Sequence, residues 1–144
     1  MQANRSNTVQ LFEGFSRSNR MDGMEITPSI SGVPVKLKIA SNEYTKSIGL
    51  MNSDEPEGDH GMMFMYDRDN ILEFWMKNVK FPLDILFFDS KLNLVSHTTM
   101  APYNGESDRN LDRYRSERPA RFAVELRSGW CTDNLNMENP TLKF

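Results

Sequence analysis

The sequence predicts a mainly β fold, a compact β-sandwich or barrel of about seven short strands with one short helix and an extended N-terminal arm. Short segments alternate apolar and polar residues with the period of two that is typical of strands. Clusters of Gly, Pro, Asn and Asp separate these segments, and no βαβ rhythm is present. The 144 residues fit a single core. We divide the chain into a polar arm, 1–23, and one β-domain, 24–144.

The first third of the domain predicts an edge strand followed by the helix. Residues 33–39 alternate Val, Leu and Ile with Pro and Lys, and Pro34 near the start favours a sheet edge. Ser41 can cap a helix over residues 42–48, and Gly49 can end it. A polar loop follows, because residues 52–60 are rich in Pro, Gly and acidic side chains.

The middle of the domain predicts a hairpin and then a sharp corner. Residues 61–66 and 71–77 form two strands, and Asp67 to Asn70 provides turn-forming residues between them. Residues 83–88 form a further strand after a corner at Pro82. The stretch 73–89 holds four of the nine phenylalanines, so we expect it to be the folding centre.

The last third predicts three strands and the largest loop. Strands are expected at 92–100, 121–126 and 141–144. Residues 102–119 carry balanced charge and few apolar residues, which is typical of a solvated loop. Cys131 lies beside Trp130 in another predicted loop.

The arm is polar and has four apolar anchors. Its composition alone favours a disordered tail, and the alternative is an arm that docks on a neighbouring subunit in a homo-oligomer or hetero-assembly. In that case the partner-binding residues are the four anchors, Val9, Leu11, Phe12 and Phe15.

Composition argues against several classes of function. The net charge of −3 provides no general attraction to nucleic acid or to an anionic membrane. Cys131 is the single cysteine, so no internal disulfide can form, and with His60 and His97 it does not make a zinc motif. We expect no cofactor and no metal. The N-terminus lacks the apolar run of a signal peptide, so a cytoplasmic protein or a virion component is expected.

Five residues near the aromatic stretch are candidates for binding a small ligand. Asp84 inside an apolar strand could act as a base with a raised pKa, but a carboxylate satisfied by nearby backbone amides or by Lys77 is the favoured interpretation, because buried charges are normally paired. Glu125 would point away from the core unless its strand is buried on both faces. Together the two acids suggest a carboxylate pair for hydrolysis, whose separation the sequence does not give. The candidates are Trp75, Lys77, Asn78, Asp84 and Glu125.

Several short motifs follow one another in a specific order and spacing. They are Gly49-Leu50-Met51, Gly61-Met62-Met63-Phe64, Phe74-Trp75-Met76-Lys77-Asn78, Pro82-Leu83-Asp84-Ile85-Leu86-Phe87, and Val124-Glu125-Leu126 with Gly129. Through these motifs the chain, from about Val33 to Phe144, resembles the bacterial and phage-encoded domain of unknown function 192 family. The resemblance implies a compact, mainly β domain and no established activity.

The chain also departs from the pattern of that family. Ser53 stands where the family usually has an arginine, Thr45-Lys46 replaces a Glu-Arg pair, and Glu138-Asn139 replaces a Gly-Asp turn. These differences favour a repurposed scaffold over a working enzyme. The leading hypothesis is a non-catalytic structural or interaction module, such as a phage-particle component that docks through its arm. The alternative is a small-ligand binder, for a sugar for example, or a hydrolase, with a pocket near Trp75 and Asp84.

Overall fold

The computed structural model describes residues 20–144 and confirms the predicted mainly β fold. A six-stranded sheet forms its centre. In sheet order its strands are β1 (Glu25–Ile26), β4 (Lys36–Ala40), β5 (His60–Asn70), β10 (Ala120–Arg127), β7 (Leu83–Phe88) and β8 (Leu94–Met100). The neighbours β4 and β5 run parallel, and every other pair in this sheet is antiparallel.

Two small sheets and two short helices complete the described part of the chain. The first small sheet contains β11 (Leu142–Lys143), β2 (Ser29–Ile30) and β3 (Val33–Pro34), and the second pairs β6 (Glu73–Phe74) with β9 (Tyr114–Arg115). The helices are α1 (Glu43–Ile48) and α2 (Trp130–Asn134).

The two central strands of the large sheet are buried on both faces. All residues of β7 are buried, and in β10 only Arg127 is partly exposed. Because successive side chains point to opposite faces, each face has its own apolar core. On what we call the back face, the core includes Met63, Leu86, Val124, Leu126 and Trp130. On the opposite face, called the site face, it includes Met62, Phe64, Ile85, Phe87 and Ala123.

The predicted hairpin at Asp67 to Asn70 is wrong. Strand β5 continues through these residues, and Asn70 pairs with Ala120 of β10. Strand β6 pairs with β9 instead of β5. Four polar residues with turn propensity are tolerated in the strand because its end is exposed to solvent, so the long-range partner decides the conformation.

Local predictions around the helices need two corrections. The N-cap of α1 is Asn42 instead of Ser41: the Asn42 Oδ1 accepts a bond from the Thr45 amide at 2.8 Å, and the two residues form a capping box. The amide of Ser41 donates to Asp22 at 2.8 Å. The segment that contains Cys131 was predicted as a loop, but it forms α2.

The described end of the predicted arm packs against the domain. Met21 is buried in the back-face core, and the Asp22 carboxylate accepts bonds from Ser41 N and Thr45 Oγ1. The predicted anchors Val9, Leu11, Phe12 and Phe15 lie outside the described residues. Over residues 20–144, no helix has the length and apolar character that a membrane crossing requires.

Candidate functional site

A cleft of about 330 Å³ opens on the site face of the large sheet. The end of α1 and the turn after it form one wall, and β6 and the residue after it form the other. Residues of β5 and β10 form the floor. The residues that line it include Lys46, Phe64, Tyr66, Phe74, Trp75, Arg113 and Glu125.

Glu125 lies at the floor of this cleft and is only 4% exposed. It is on the same face of β10 as Ala123, opposite Met62 of β5 and Ile85 of β7. The strand is buried on both faces, so the carboxyl points into the domain. No described residue donates a hydrogen bond to it. Burial raises the pKa of Glu125 from 4.5 to about 8, so the acid is protonated and neutral at pH 7.

Aromatic rings form the apolar part of the cleft. Phe64 and Phe74 meet edge to face with ring centroids 4.9 Å apart, and Phe74 also contacts Phe87 at 5.9 Å. Tyr66 lies beside them at the end of the buried part of β5. Burial, and then the carboxyls of Glu43 and Glu125, raise the pKa of Tyr66 to about 12, so its hydroxyl stays neutral.

Two cations lie at the rim of the cleft in fixed positions. Lys46 Nζ donates to the Met65 carbonyl at 3.2 Å and lies 4.0 Å from the centroid of the Tyr66 ring. The Arg113 guanidinium lies 4.5 Å from the centroid of the Trp75 ring. Contacts of this kind between a cation and an aromatic face are attractive, so the geometry keeps both positive charges near the cavity.

Of the five residues predicted to bind a ligand, Trp75 and Glu125 line the cleft, whereas Lys77, Asn78 and Asp84 do not. Lys77 forms an ion pair with Asp108 at 2.9 Å. Asn78 adopts a left-handed conformation, with φ of 60°, which asparagine tolerates better than most residues. Both residues lie in the turn between β6 and β7.

Asp84 lies on the back face of the sheet, away from Glu125. Asp84 of β7 pairs with Leu126 of β10, the residue that follows Glu125. Because successive side chains in a strand point to opposite faces, the Asp84 and Glu125 side chains point to opposite faces of the sheet. The Asp84 carboxylate accepts bonds from Thr99 Oγ1 at 2.7 Å and from the Cys131 amide at 2.9 Å. The two acids therefore do not form the carboxylate pair suggested by the sequence. Asp84 instead caps the N-terminus of α2.

The chain offers no activated thiol at this position. Cys131 is buried, and burial, followed by the charge of Asp84, raises the pKa of its thiol to about 12. A thiol with such a pKa is a poor nucleophile at neutral pH.

Replacing Asp84 with alanine is expected to reduce the free energy of unfolding by about 2 kcal/mol, because the Thr99 hydroxyl and the buried Cys131 amide both lose their acceptor. Urea unfolding of Asp84→Ala and of Asp84→Asn measures the effect. The asparagine variant keeps one acceptor oxygen and should lose less. An alanine variant as stable as the wild type would contradict a capping role.

Sequence reasoning missed the cationic half of the cleft. Lys46 and Arg113 lie in segments read as a short helix and a solvated loop, where charged side chains are unremarkable. The available signal for Lys46 was its place in the Thr45-Lys46 pair, where the resembled family carries an arginine. Arg113 gave no local signal, because its loop reaches the cleft through the pairing of β6 with β9.

Two solved structures share this fold at low sequence identity. One is a candidate transcription regulator from Sinorhizobium meliloti 1021, with a TM-score of 0.68, 21% identity, and coverage of 83% of this chain and 89% of that one. The other is a protein of unknown function from Novosphingobium aromaticivorans DSM 12444, with a TM-score of 0.67, 20% identity, and coverage of 83% and 81%. At these identities the similarity shows the fold alone.

Comparison with curated proteins gives no match. A comparison with protein families matches residues 25–139 to DUF192, described as "Uncharacterized ACR". That match covers most of the chain and includes the cleft residues from α1 to β10. The chain therefore belongs to the DUF192 family.

Proposed function

We propose that this chain is a binding module that holds a small ligand in the Glu125 cleft. The observation that carries the proposal is the Glu125 carboxyl: the residue is only 4% exposed, its carboxyl opens into the cleft, and no described residue donates a hydrogen bond to it. Most polar groups at such depth in proteins are hydrogen-bonded, either to protein or to ordered water. A ligand that forms a hydrogen bond with Glu125 would supply the missing partner.

The rest of the cleft has the composition of a ligand site. Pockets for small molecules combine apolar and aromatic walls with a few convergent polar groups. Here Phe64, Phe74 and Trp75 provide the apolar surface, and Lys46 at the wall and Glu125 at the floor provide polar groups. Binding is favoured over hydrolysis because Asp84, the second acid predicted for a hydrolytic pair, lies on the other face of the sheet.

Thermal-shift screening tests this function. Sugars, nucleotides, amino acids and short organic acids are added to the full-length protein, and the melting temperature is recorded. A ligand present at 100 times its Kd stabilises the native state by about 2.7 kcal/mol, which corresponds to a shift of several degrees in a domain of this size.

Matched variants connect any shift to the cleft. Glu125→Leu removes the polar group at the floor while keeping its approximate volume, so it should fold and lose the response. Glu117→Gln changes an exposed acid outside the cleft and should respond like the wild type. A response that Glu125→Leu retains would place the ligand elsewhere, and a flat response to the whole panel would count against the proposal.

Docking through the N-terminal arm, and with it a place in a phage particle, stays a separate prediction. Its anchor residues lie outside the described part of the chain. Deleting residues 1–19 should leave the domain folded and abolish assembly with a partner subunit, which size-exclusion chromatography with light scattering would detect. An unaltered complex would contradict that role.

A further inference from the structure

The charges around the cleft are unbalanced. Four ionisable residues other than Tyr66 line it: Lys46, Glu73, Arg113 and Glu125. The Glu73 carboxylate is already engaged by Arg115, whose Nη2 and Nε lie 2.7 and 2.8 Å from the same oxygen. Glu73 therefore contributes little free negative charge to the cavity.

The two cations are not neutralised to the same degree. Lys46 has an acidic neighbour, Glu43, at 3.7 Å, but the Glu43 side chain is fully exposed while that of Lys46 is 13% exposed. An exposed pair of this kind is weak, because water screens it. The Arg113 guanidinium donates hydrogen bonds to two backbone carbonyls, those of Leu111 and Asp108. A guanidinium has five N–H donors, so others remain for a ligand.

The floor of the cleft presents a donor instead of an anion. In its neutral form the Glu125 carboxyl offers one O–H donor, and the Tyr66 hydroxyl offers another. A site with two cations, neutral donors and no uncompensated carboxylate is complementary to negative charge.

From this arrangement we infer that the ligand is a small organic anion, a compact molecule with one carboxylate or phosphate group held between Lys46, Arg113 and the Glu125 carboxyl. This inference depends on the proposed binding function and specifies its ligand class. The apolar part of such a molecule would contact Phe74 and Trp75. A cavity of about 330 Å³ is at the small end of ligand pockets, which favours a compact metabolite over a polymer.

Isothermal titration calorimetry with pairs of anionic and neutral analogues tests the ligand class. The pairs are benzoate with benzamide, and glucuronate and glucose 6-phosphate with glucose. We expect at least one anion to bind at least tenfold more tightly than its neutral partner at pH 7 and low salt. Lys46→Gln and Arg113→Gln should each weaken that anion about tenfold or more, whereas the exposed Lys143→Gln on β11 should not.

The dependence of binding on pH separates this arrangement from a general surface attraction. The Tyr66 hydroxyl stays neutral between pH 7 and 9, because burial raises the pKa of Tyr66 to about 12, and Glu73 is paired with Arg115. Since the pKa of Glu125 is about 8, ionisation above that pH replaces a donor with a repelling carboxylate. The affinity of the anion should fall about tenfold per pH unit above 8. Glu125→Gln should remove that slope.

The outcomes distinguish the ligand class from the function itself. Neutral probes that bind while their anionic partners do not, with the response still lost in Glu125→Leu, would overturn the anionic class and leave the cleft as a binding site. Anion binding that is unchanged in Lys46→Gln, Arg113→Gln and Glu125→Gln at every pH would also overturn it. If thermal-shift screening with the wider panel is flat as well, the proposed function fails together with the inference.

Discussion

Replacing Glu125 with glutamine is expected to stabilise the protein strongly at alkaline pH and to have little effect near pH 4.5. The folded protein holds the Glu125 proton up to about pH 8, whereas an unfolded chain releases it at about 4.5. Between these values the folded state binds more protons than the unfolded state, so the free energy of unfolding falls as pH rises. The full difference is roughly 5 kcal/mol above pH 8.

Urea unfolding of the wild type and of Glu125→Gln at pH 4.5, 6, 7.5 and 9 measures this effect. Other groups also titrate, so the informative quantity is the difference between the two proteins at each pH. That difference should be small at pH 4.5, grow through neutrality and level off above pH 8. Glu117→Gln, an exposed acid, provides the control. A constant difference across the series would show that the pKa of Glu125 is not raised in the folded protein.

The strands that the sequence predicts best are those with purely local signals. Residues 83–88 and 121–126 form strands at the expected places because runs of branched and aromatic residues fit a buried sheet. The extension of β5 to Asn70 was not predictable, since turn-forming residues in the strand are permitted only by the distant partner β10. Helix α2 was missed for a similar reason: Asp84, far away in sequence, caps its N-terminus.

The candidate site divides in the same way. Trp75 and Glu125 could be selected because an aromatic residue near a corner and an acid inside an apolar strand are unusual in their local context. The direction of the Glu125 side chain could not be predicted, because strict alternation assumes that a strand has one buried face, and β10 is buried on both. Asp84 has the same local character as Glu125, yet its position in the register of β7 and β10 sends it to the back face. Sequence therefore finds the unusual acids, and only the pairing of strands assigns them different roles.

Gly61 is the position where a single added methyl group should disturb both the fold and the cleft. A Cβ at this residue would lie 2.0 Å from the Glu125 backbone carbonyl oxygen and 3.0 Å from a Leu126 side-chain carbon. Gly61 is paired with Leu126 across β5 and β10, so the backbone atoms have no room to yield without separating the strands. We expect Gly61→Ala to reduce the free energy of unfolding by about 3 kcal/mol, at the upper end of the usual cost of overpacking.

Gly58→Ala is the matched control for this prediction. Nothing lies within 4 Å of a Cβ at Gly58, but the residue has φ of +58°, so alanine there should cost only about 1 kcal/mol of backbone strain. Urea unfolding compares the two variants. Because the clash is with the carbonyl of Glu125, Gly61→Ala should also weaken any thermal shift produced by a cleft ligand, while Gly58→Ala preserves it. A loss in Gly61→Ala no larger than that in Gly58→Ala would mean that β5 and β10 adjust at this point at little cost, and the close approach would then have no role in placing the Glu125 carboxyl.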